Sequence, residues 1–328
     1  MSLIIGNRRF LVVLALTGLL MVFCAAKGNA FPTKPIKIIV PFPPGGPTDL
    51  IARTIVEAAK PNFPQPLMVI NKAGGGGAIG ASEVIQSPPD GHTLGFIPAA
   101  VVVLVPQLQK VPYKGPEDIQ PILGSIIGPT MFVVRSDAPW TAMKELLDYA
   151  KDNPGKITTG VAGLGSEPYL LLENIKYLAK VNITPVPFEG SGPAVTSLLG
   201  GHVSSAILGG SPSIGHVRAG KLKYLAVNTP ERIKWAPDVP TLKELGLPTE
   251  AFNKGTSFFF FGPRGLPTDI LRFISDQLGK AYQSELVQKV FDDNLVFPVN
   301  KTPAELEKQF QEDYKSLSEF LKEVKISP

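Results

Sequence analysis

Four glycine-bearing segments hold the residues whose types and spacing suit chemistry. The first is Pro41-Phe42-Pro43-Pro44-Gly45-Gly46-Pro47-Thr48-Asp49, which leaves an apolar run and enters a helical pattern. The second is Asn71-Lys72-Ala73-Gly74-Gly75-Gly76-Gly77-Ala78-Ile79-Gly80, and the third is Gly160-Val161-Ala162-Gly163-Leu164-Gly165-Ser166-Glu167. The fourth, Phe188-Glu189-Gly190-Ser191-Gly192-Pro193, opens a helix through Leu199 at Ser191 or Gly192. Glycine lets a chain turn sharply and exposes its amides. A helix start adds unpaired N–H donors and about half a positive charge. Such a place binds an anion without a basic side chain. Any one loop alone also fits a plain strand-to-helix turn. If all four converge on one cleft, they describe a site for a small carboxylate or phosphate built from backbone amides.

Other chemistries find little support. Gly75-x-Gly77-x-x-Gly80 formally matches a dinucleotide fingerprint, but the acidic residue expected about 20 positions on is missing. There is neither a Gly-x-Ser-x-Gly elbow nor a Gly-x4-Gly-Lys-Ser/Thr phosphate loop. His92, His202 and His216 lie far apart without ligand spacing, so no metal site is expected. Asp49, at a helix start, reads as a loop-fixing cap rather than a general base.

The elements that must carry these loops are apolar runs alternating with helical patterns. Strands are expected at Ile36–Val40, Leu67–Asn71, Leu94–Ile97, Met131–Val134, Ile157–Val161, Ile183–Phe188, Val203–Leu208, Tyr224–Val227 and Ser257–Phe261. Continuous apolar strands suit sheets buried on both faces. Thr48 is expected to cap a helix reaching about Lys60, with Leu50, Ile51, Ile55 and Val56 inward. A second helix is expected from Trp140 to Lys151. Thr302-Pro303-Ala304-Glu305 starts the clearest helix with a capping box, and Leu306, Phe310, Tyr314, Leu317 and Leu321 then form one stripe. Strand–helix alternation over some 300 residues predicts an α/β protein built on two sheets; if these form two lobes, the lobes must share strands that cross between them, and the cleft between them is the natural ligand site.

Composition agrees. The 328 residues are 44% apolar and only 18% charged, which excludes a disordered chain. The 32 basic and 28 acidic residues show no cluster, so no nucleic acid is expected as a partner. Arg8 and Arg9, the apolar run Phe10–Ala26, and small residues up to Ala30 predict an export signal over 1–30, cleaved after Ala30. A membrane anchor is one alternative, although the run is at the short limit for a bilayer. Lipid attachment at Cys24 is the other, disfavoured by the bulky Phe23 before it. Loss of 1–30 removes Arg8, Arg9, Lys27 and the only cysteine, bringing the net charge from +4 almost to neutrality and excluding disulfides and thiol chemistry.

A resemblance to a known family accumulates along the chain. Lys34-Pro35-Ile36-Lys37-Ile38-Ile39-Val40-Pro41-Phe42-Pro43-Pro44-Gly45-Gly46 with Asp49 and Ala52-Arg53 is similar to the opening of the tripartite tricarboxylate transporter substrate-binding proteins, the Bug family. Asn71-Lys72 with its glycines, Pro88-Pro89-Asp90-Gly91-His92-Thr93-Leu94, Asn153-Pro154-Gly155-Lys156, Ala219-Gly220-Lys221-Leu222-Lys223 and Asp238-Val239-Pro240-Thr241 match as well. The resemblance covers essentially the whole mature chain.

It implies a two-lobed periplasmic binding protein fold of the type II kind, with lobe 1 over 31–129 and 251–328 and lobe 2 over 130–250. It implies a periplasmic, monomeric, non-catalytic receptor that needs no cofactor, binds a small organic di- or tricarboxylate and delivers it to membrane permease subunits. The ligand's first carboxylate is then held by amides and waters between Phe42–Asp49, with Phe42, Pro44, Gly45, Gly46, Thr48 and Asp49, and Gly163–Ser166, with Gly163, Gly165 and Ser166. Gly75, Gly76 and Glu189 come from the remaining loops, while Ala99 within Pro98–Val101 and Leu208 and Gly209 within Leu208–Ser211 read the ligand's other end. The chain departs from the family pattern at Tyr169, where many relatives have histidine, and at Ser204 and Leu208, where many have acids. No acid at 208 means no partner there for an amino group. Tyr169, Leu208 and Phe258–Phe261 therefore point to a more apolar or aromatic acid. Two rival readings share the scaffold: a module presenting its ligand to a membrane signalling protein, and a periplasmic enzyme, for which no nucleophile–base pair is present.

Overall fold

The computed structural model describes residues 31–164, 166–247, 256–299 and 301–324. The expected export signal over 1–30, Gly165 and the 250/251 lobe boundary lie outside the described residues. The fold is the expected one, two α/β lobes, each built on one sheet.

The first sheet contains β1 (Ile36–Val40), β2 (Leu67–Asn71), β3 (Thr93–Pro98), β4 (Ile119–Gly128), β10 (Thr256–Pro263) and β11 (Phe297–Pro298), in the order β11-β4-β10-β3-β1-β2. β1, β2 and β3 run parallel, and β10 is antiparallel to both β3 and β4. The second sheet contains β5 (Thr130–Arg135), β6 (Thr158–Val161), β7 (Thr184–Pro187), β8 (Ser205–Gly209) and β9 (Leu222–Asn228), in the order β7-β6-β8-β5-β9. β7 carries Pro185 and Pro187, which cannot donate to a ladder on both sides, and it sits at an edge.

Helices cover both faces of each sheet. On the first, α1 (Pro47–Ala59), α9 (Thr268–Tyr282) and α10 (Glu285–Asp293) share a core with Ile38, Val40, Phe258 and Phe260. On its other face α2 (Ala78–Ile85), α3 (Ala100–Val103), α4 (Val105–Leu108) and α11 (Pro303–Val324) enclose Ile39, Phe259 and Phe261. The four consecutive phenylalanines thus alternate between two cores, which is why that strand reads as continuously apolar. In the second lobe α5 (Met143–Asp152) and α6 (Glu167–Ala179) pack on one face, with α7 (Ser191–Leu199) and α8 (Gly210–Arg218) on the other.

All nine expected strands are present, but two more are found. β4 was missed because Pro121 and Gly124 break its apolar run. β11 is only two residues long. Three helix details also differ from expectation. α1 begins after Gly46, so Thr48 lies inside the first turn rather than capping it. Leu50 points outward, 38% exposed, while Ile51, Ile55 and Val56 are buried. α5 starts at Met143, not Trp140.

The lobes are joined where β4 runs through Pro129 into β5, and where the chain returns from β9 to β10. These crossings lie side by side: Gly128 pairs with Thr256 in the first sheet, and Thr130 pairs with Asn228 in the second. Contacts also reach across. Leu170 of α6 is buried in the first lobe's core, and Leu295 is buried in the second lobe's.

Candidate functional site

The glycine loops all follow the C-terminal ends of parallel strands, where open α/β sheets place ligands. They meet around one cavity of about 400 Å³, which takes residues from both lobes and from the crossing. That volume suits a small organic molecule. Its wall is largely apolar, with Phe42, Pro98, Val101, Phe258 and Val296.

Three helices begin at this cavity with glycine at the position before the first turn: Gly46 for α1, Gly190 for α7 and Gly209 for α8. None has a capping side chain. A serine or aspartate there would fold back onto the first-turn amides, whereas glycine leaves them to another acceptor. Pro47, Pro193 and Pro212 in these first turns have no N–H, and the Gly210 N–H donates to the Pro129 carbonyl at 2.9 Å, so the three ends offer one space their partial positive charge and the remaining first-turn amides, among them Thr48, Ser191, Gly192 and Ser211. Among the described residues lining the cavity there is no lysine, arginine or histidine.

The loop before α1 is stiffened by Asp49. Its carboxylate accepts the Gly45 N–H at 2.9 Å, Arg53 Nε at 2.9 and 3.0 Å and Asn71 Nδ2 at 2.8 Å. Asn71 also donates to the Phe42 carbonyl at 3.0 Å and accepts from Arg53 Nη2 at 2.8 Å. Burial alone raises the Asp49 carboxyl, but the Arg53, Gly45 and Asn71 donors outweigh it and hold it below its ordinary value. Gly45 needs its missing side chain because φ is +82°. The second glycine run is left-handed from Gly74 to Gly77, and a Cβ on Gly77 would come within 2.8 Å of Val101.

Glu167 is the feature that sequence reasoning passed over. It is the first residue of α6, it lines the cavity and it is half-buried. Its Oε2 accepts from the Thr130 hydroxyl at 2.8 Å and from the Thr256 hydroxyl at 3.0 Å, and its Oε1 accepts from Asn228 Nδ2 at 3.0 Å. These are three of the four residues that pair at the lobe crossing. The acid therefore ties the second lobe's helix to the strands that both lobes share. Burial raises its carboxyl above the ordinary value, and the Thr130, Thr256 and Asn228 donors offset only part of that. The signal available in the sequence was a lone acid at the end of a glycine loop, and nothing local says that it faces three donors from distant strands.

Of the residues singled out from the sequence, Phe42, Pro44, Gly45, Gly46, Thr48, Gly76, Ser166, Glu189 and Gly209 line the cavity. Gly75 and Gly163 line a smaller adjoining space of about 210 Å³, where the second glycine run faces the other lobe. Asp49 lies beneath the loop and not in the cavity wall, 3% exposed. Ala99 is buried, and its N–H donates to the Ser257 carbonyl at 2.7 Å. Leu208 is fully buried against Met131 and its neighbours, because side chains alternate along β8 and its own points into the core. Tyr169 packs between cores of the two lobes rather than lining the cavity. Of the three features that pointed to an apolar or aromatic acid, only Phe258 reaches the wall. In the Gly163–Ser166 half of the expected clamp, Ser166 Oγ accepts the Tyr169 N–H at 3.3 Å and the following Pro168 carries no N–H. That helix end supplies its own cap and its own carboxylate.

A family model described as "Tripartite tricarboxylate transporter family receptor" matches residues 51–326. The chain belongs to this receptor family. The chain is 34% identical to Protein BugT of Bordetella pertussis over 279 residues, 84% of either chain. It is also similar to the solved structure of the periplasmic binding protein BugD (TM-score 0.84, 28% identity, 90% of this chain and 99% of that one). Two structures from Rhodopseudomonas palustris hold ligands: MatC with bound malate (TM-score 0.81, 28% identity, 88% and 99% covered) and Rpa4515 with adipate (TM-score 0.85, 27% identity, 91% and 99% covered). The solved structures to which the chain is similar thus include a periplasmic binding protein and two proteins with bound dicarboxylates.

Proposed function

We propose that the protein is an extracytoplasmic receptor that captures a small organic carboxylate and delivers it to the permease subunits of a tripartite tricarboxylate-type transporter. The observation that carries this reading is the convergence of three glycine-started helices, at Gly46, Gly190 and Gly209, on one cavity without a basic side chain among its described lining residues. Peptide N–H groups there grip the carboxylate, and the apolar wall holds the carbon skeleton. Malate and adipate in two similar structures support the ligand class.

The receptor acts as a periplasmic monomer after removal of residues 1–30 and performs no catalysis. Residues 31–129 with 251–328 form one lobe and 130–250 the other. The bound ligand holds them together, and the closed surface is what a permease meets. Isothermal titration of the mature protein with malate, adipate and longer or aromatic acids tests the binding step. Saturable binding of at least one acid is expected, and heats of dilution alone across the panel would end the proposal. Uptake of the bound acid by cells with and without the receptor tests delivery.

A further inference from the structure

The reading of the cavity as a carboxylate site, on which this inference rests, leaves the role of its internal acid open. We propose that Glu167 is a specificity-determining residue: its carboxylate, fixed at the lobe crossing beside the cavity that the residue lines, selects an acid whose far end carries a hydrogen-bond donor, a hydroxyl or an ammonium, over one that ends in a second carboxylate.

Position is the first argument. The glycine-started end of α1 lies toward the rim, where Gly45 is exposed, whereas the donors to Glu167 are deep, with Thr130 at 0% and Asn228 at 1% exposure. The start of α8 lies at the crossing itself, where Gly209 pairs with Thr130, so it is a ligand gripped by its carboxylate at the start of α1 and filling the cavity that directs its other end to the crossing. Charge is the second argument. The only ionisable side chains among the described lining residues are Glu167 and Glu189, both acids, and Glu189 is exposed. A second carboxylate at the crossing meets this half-buried acid with no cationic side chain among the described lining residues to offset it. Capacity is the third. A carboxylate offers about four lone-pair positions. Two hydroxyls occupy Oε2 and one amide occupies Oε1, so Oε1 can still accept a ligand O–H or N–H. At the beginning of α6 the Tyr169 N–H is taken by Ser166 Oγ and Pro168 has none, which leaves that end fewer free amides.

The test is calorimetric titration of the mature wild type and Glu167→Gln with 6-hydroxyhexanoate, 6-aminohexanoate, hexanoate and adipate, with 4-hydroxybenzoate, 4-(aminomethyl)benzoate, 4-methylbenzoate and terephthalate as the aromatic set. In at least one set the wild type is expected to bind a donor-ended acid about tenfold or more tighter than the matched dicarboxylate, as loss of a charge-assisted hydrogen bond implies. In Glu167→Gln that gap closes, with the methyl-ended acid little changed. A loss confined to the amino-ended acid identifies an ammonium as the group recognised, and a loss shared with the hydroxy-ended acid identifies the hydroxyl. Thermal melts establish that the variant is folded, and if it is not, the wild-type ranking decides. A dicarboxylate binding as tightly as the donor-ended acids overturns the inference. An equal loss for every acid also overturns it and leaves Glu167 as a structural tie at the crossing. Binding of none of the acids would instead overturn the receptor reading itself.

Discussion

Two carboxylates at this site have opposite environments and predict opposite responses to pH. Asp49 gains an N–H, an amide and a guanidinium on folding, so its carboxyl is held down. Its contribution is fully present above the ordinary aspartate value of about 3.9 and is lost as pH falls through the lower folded value. Replacing it by alanine leaves the Gly45 N–H and the Asn71 amide without their acceptor. Asp49→Ala is expected to cost about 2–3 kcal/mol in urea unfolding, with the half-exposed Arg53 adding little, and to weaken every acid bound by the first loop. Glu167 is raised by its burial. The folded state then binds a proton more tightly than the unfolded chain. Stability therefore falls as pH rises from the ordinary glutamate value, about 4.3, through the folded one, and is level above it. Melting temperatures of the wild type and Glu167→Gln across pH 4–8 should diverge in that direction. Parallel curves would mean that the Glu167 carboxyl is not displaced.

At the scale of elements, β10 and α11 show what pattern can and cannot reveal. The run Phe258–Phe261 announces a strand buried on both sides, and the structure sends 258 and 260 to one core and 259 and 261 to the other. Phe260→Ala should cost about 3–5 kcal/mol, since the surrounding helices can fill only part of the void, measurable by chemical denaturation. The start of α11 was legible in detail. The Thr302 N–H donates to Glu305 at 2.8 Å, and the Glu305 N–H donates to Thr302 Oγ1 at 3.3 Å. Thr302→Ala is expected to cost about 1 kcal/mol. β4 was not legible, because a strand crossing between lobes with a proline and a glycine in it has no period of its own. Leu208 was placed in the cavity by its loop, and the pleat of β8 turned it away, as a one-residue change of face always does.

At the scale of the molecule, the lobes are linked through two neighbouring crossings, Gly128 beside Thr256 and Thr130 beside Asn228. A ligand that bridges the lobes adds its binding energy to the folded, closed form. A saturating acid at a hundredfold excess over Kd should stabilise the protein by about 2.7 kcal/mol, seen as a rise of a few degrees in a calorimetric scan. An acid that binds by titration but leaves the melting temperature unmoved would contradict binding between the lobes.

The sequence by itself determined the α/β class, the family, whose resemblance implied two lobes, and the loops that can hold an anion. These depend on local signals: apolar runs, helix starts, and glycines where a side chain would not fit. Tertiary structure alone decided which loops share a cavity, that the start of α6 caps itself, and that Thr130, Asn228 and Thr256 converge on Glu167. Those facts depend on residues 37 to 89 positions apart meeting where the chain crosses between lobes. Strand pairing brings them together, and no local period encodes it.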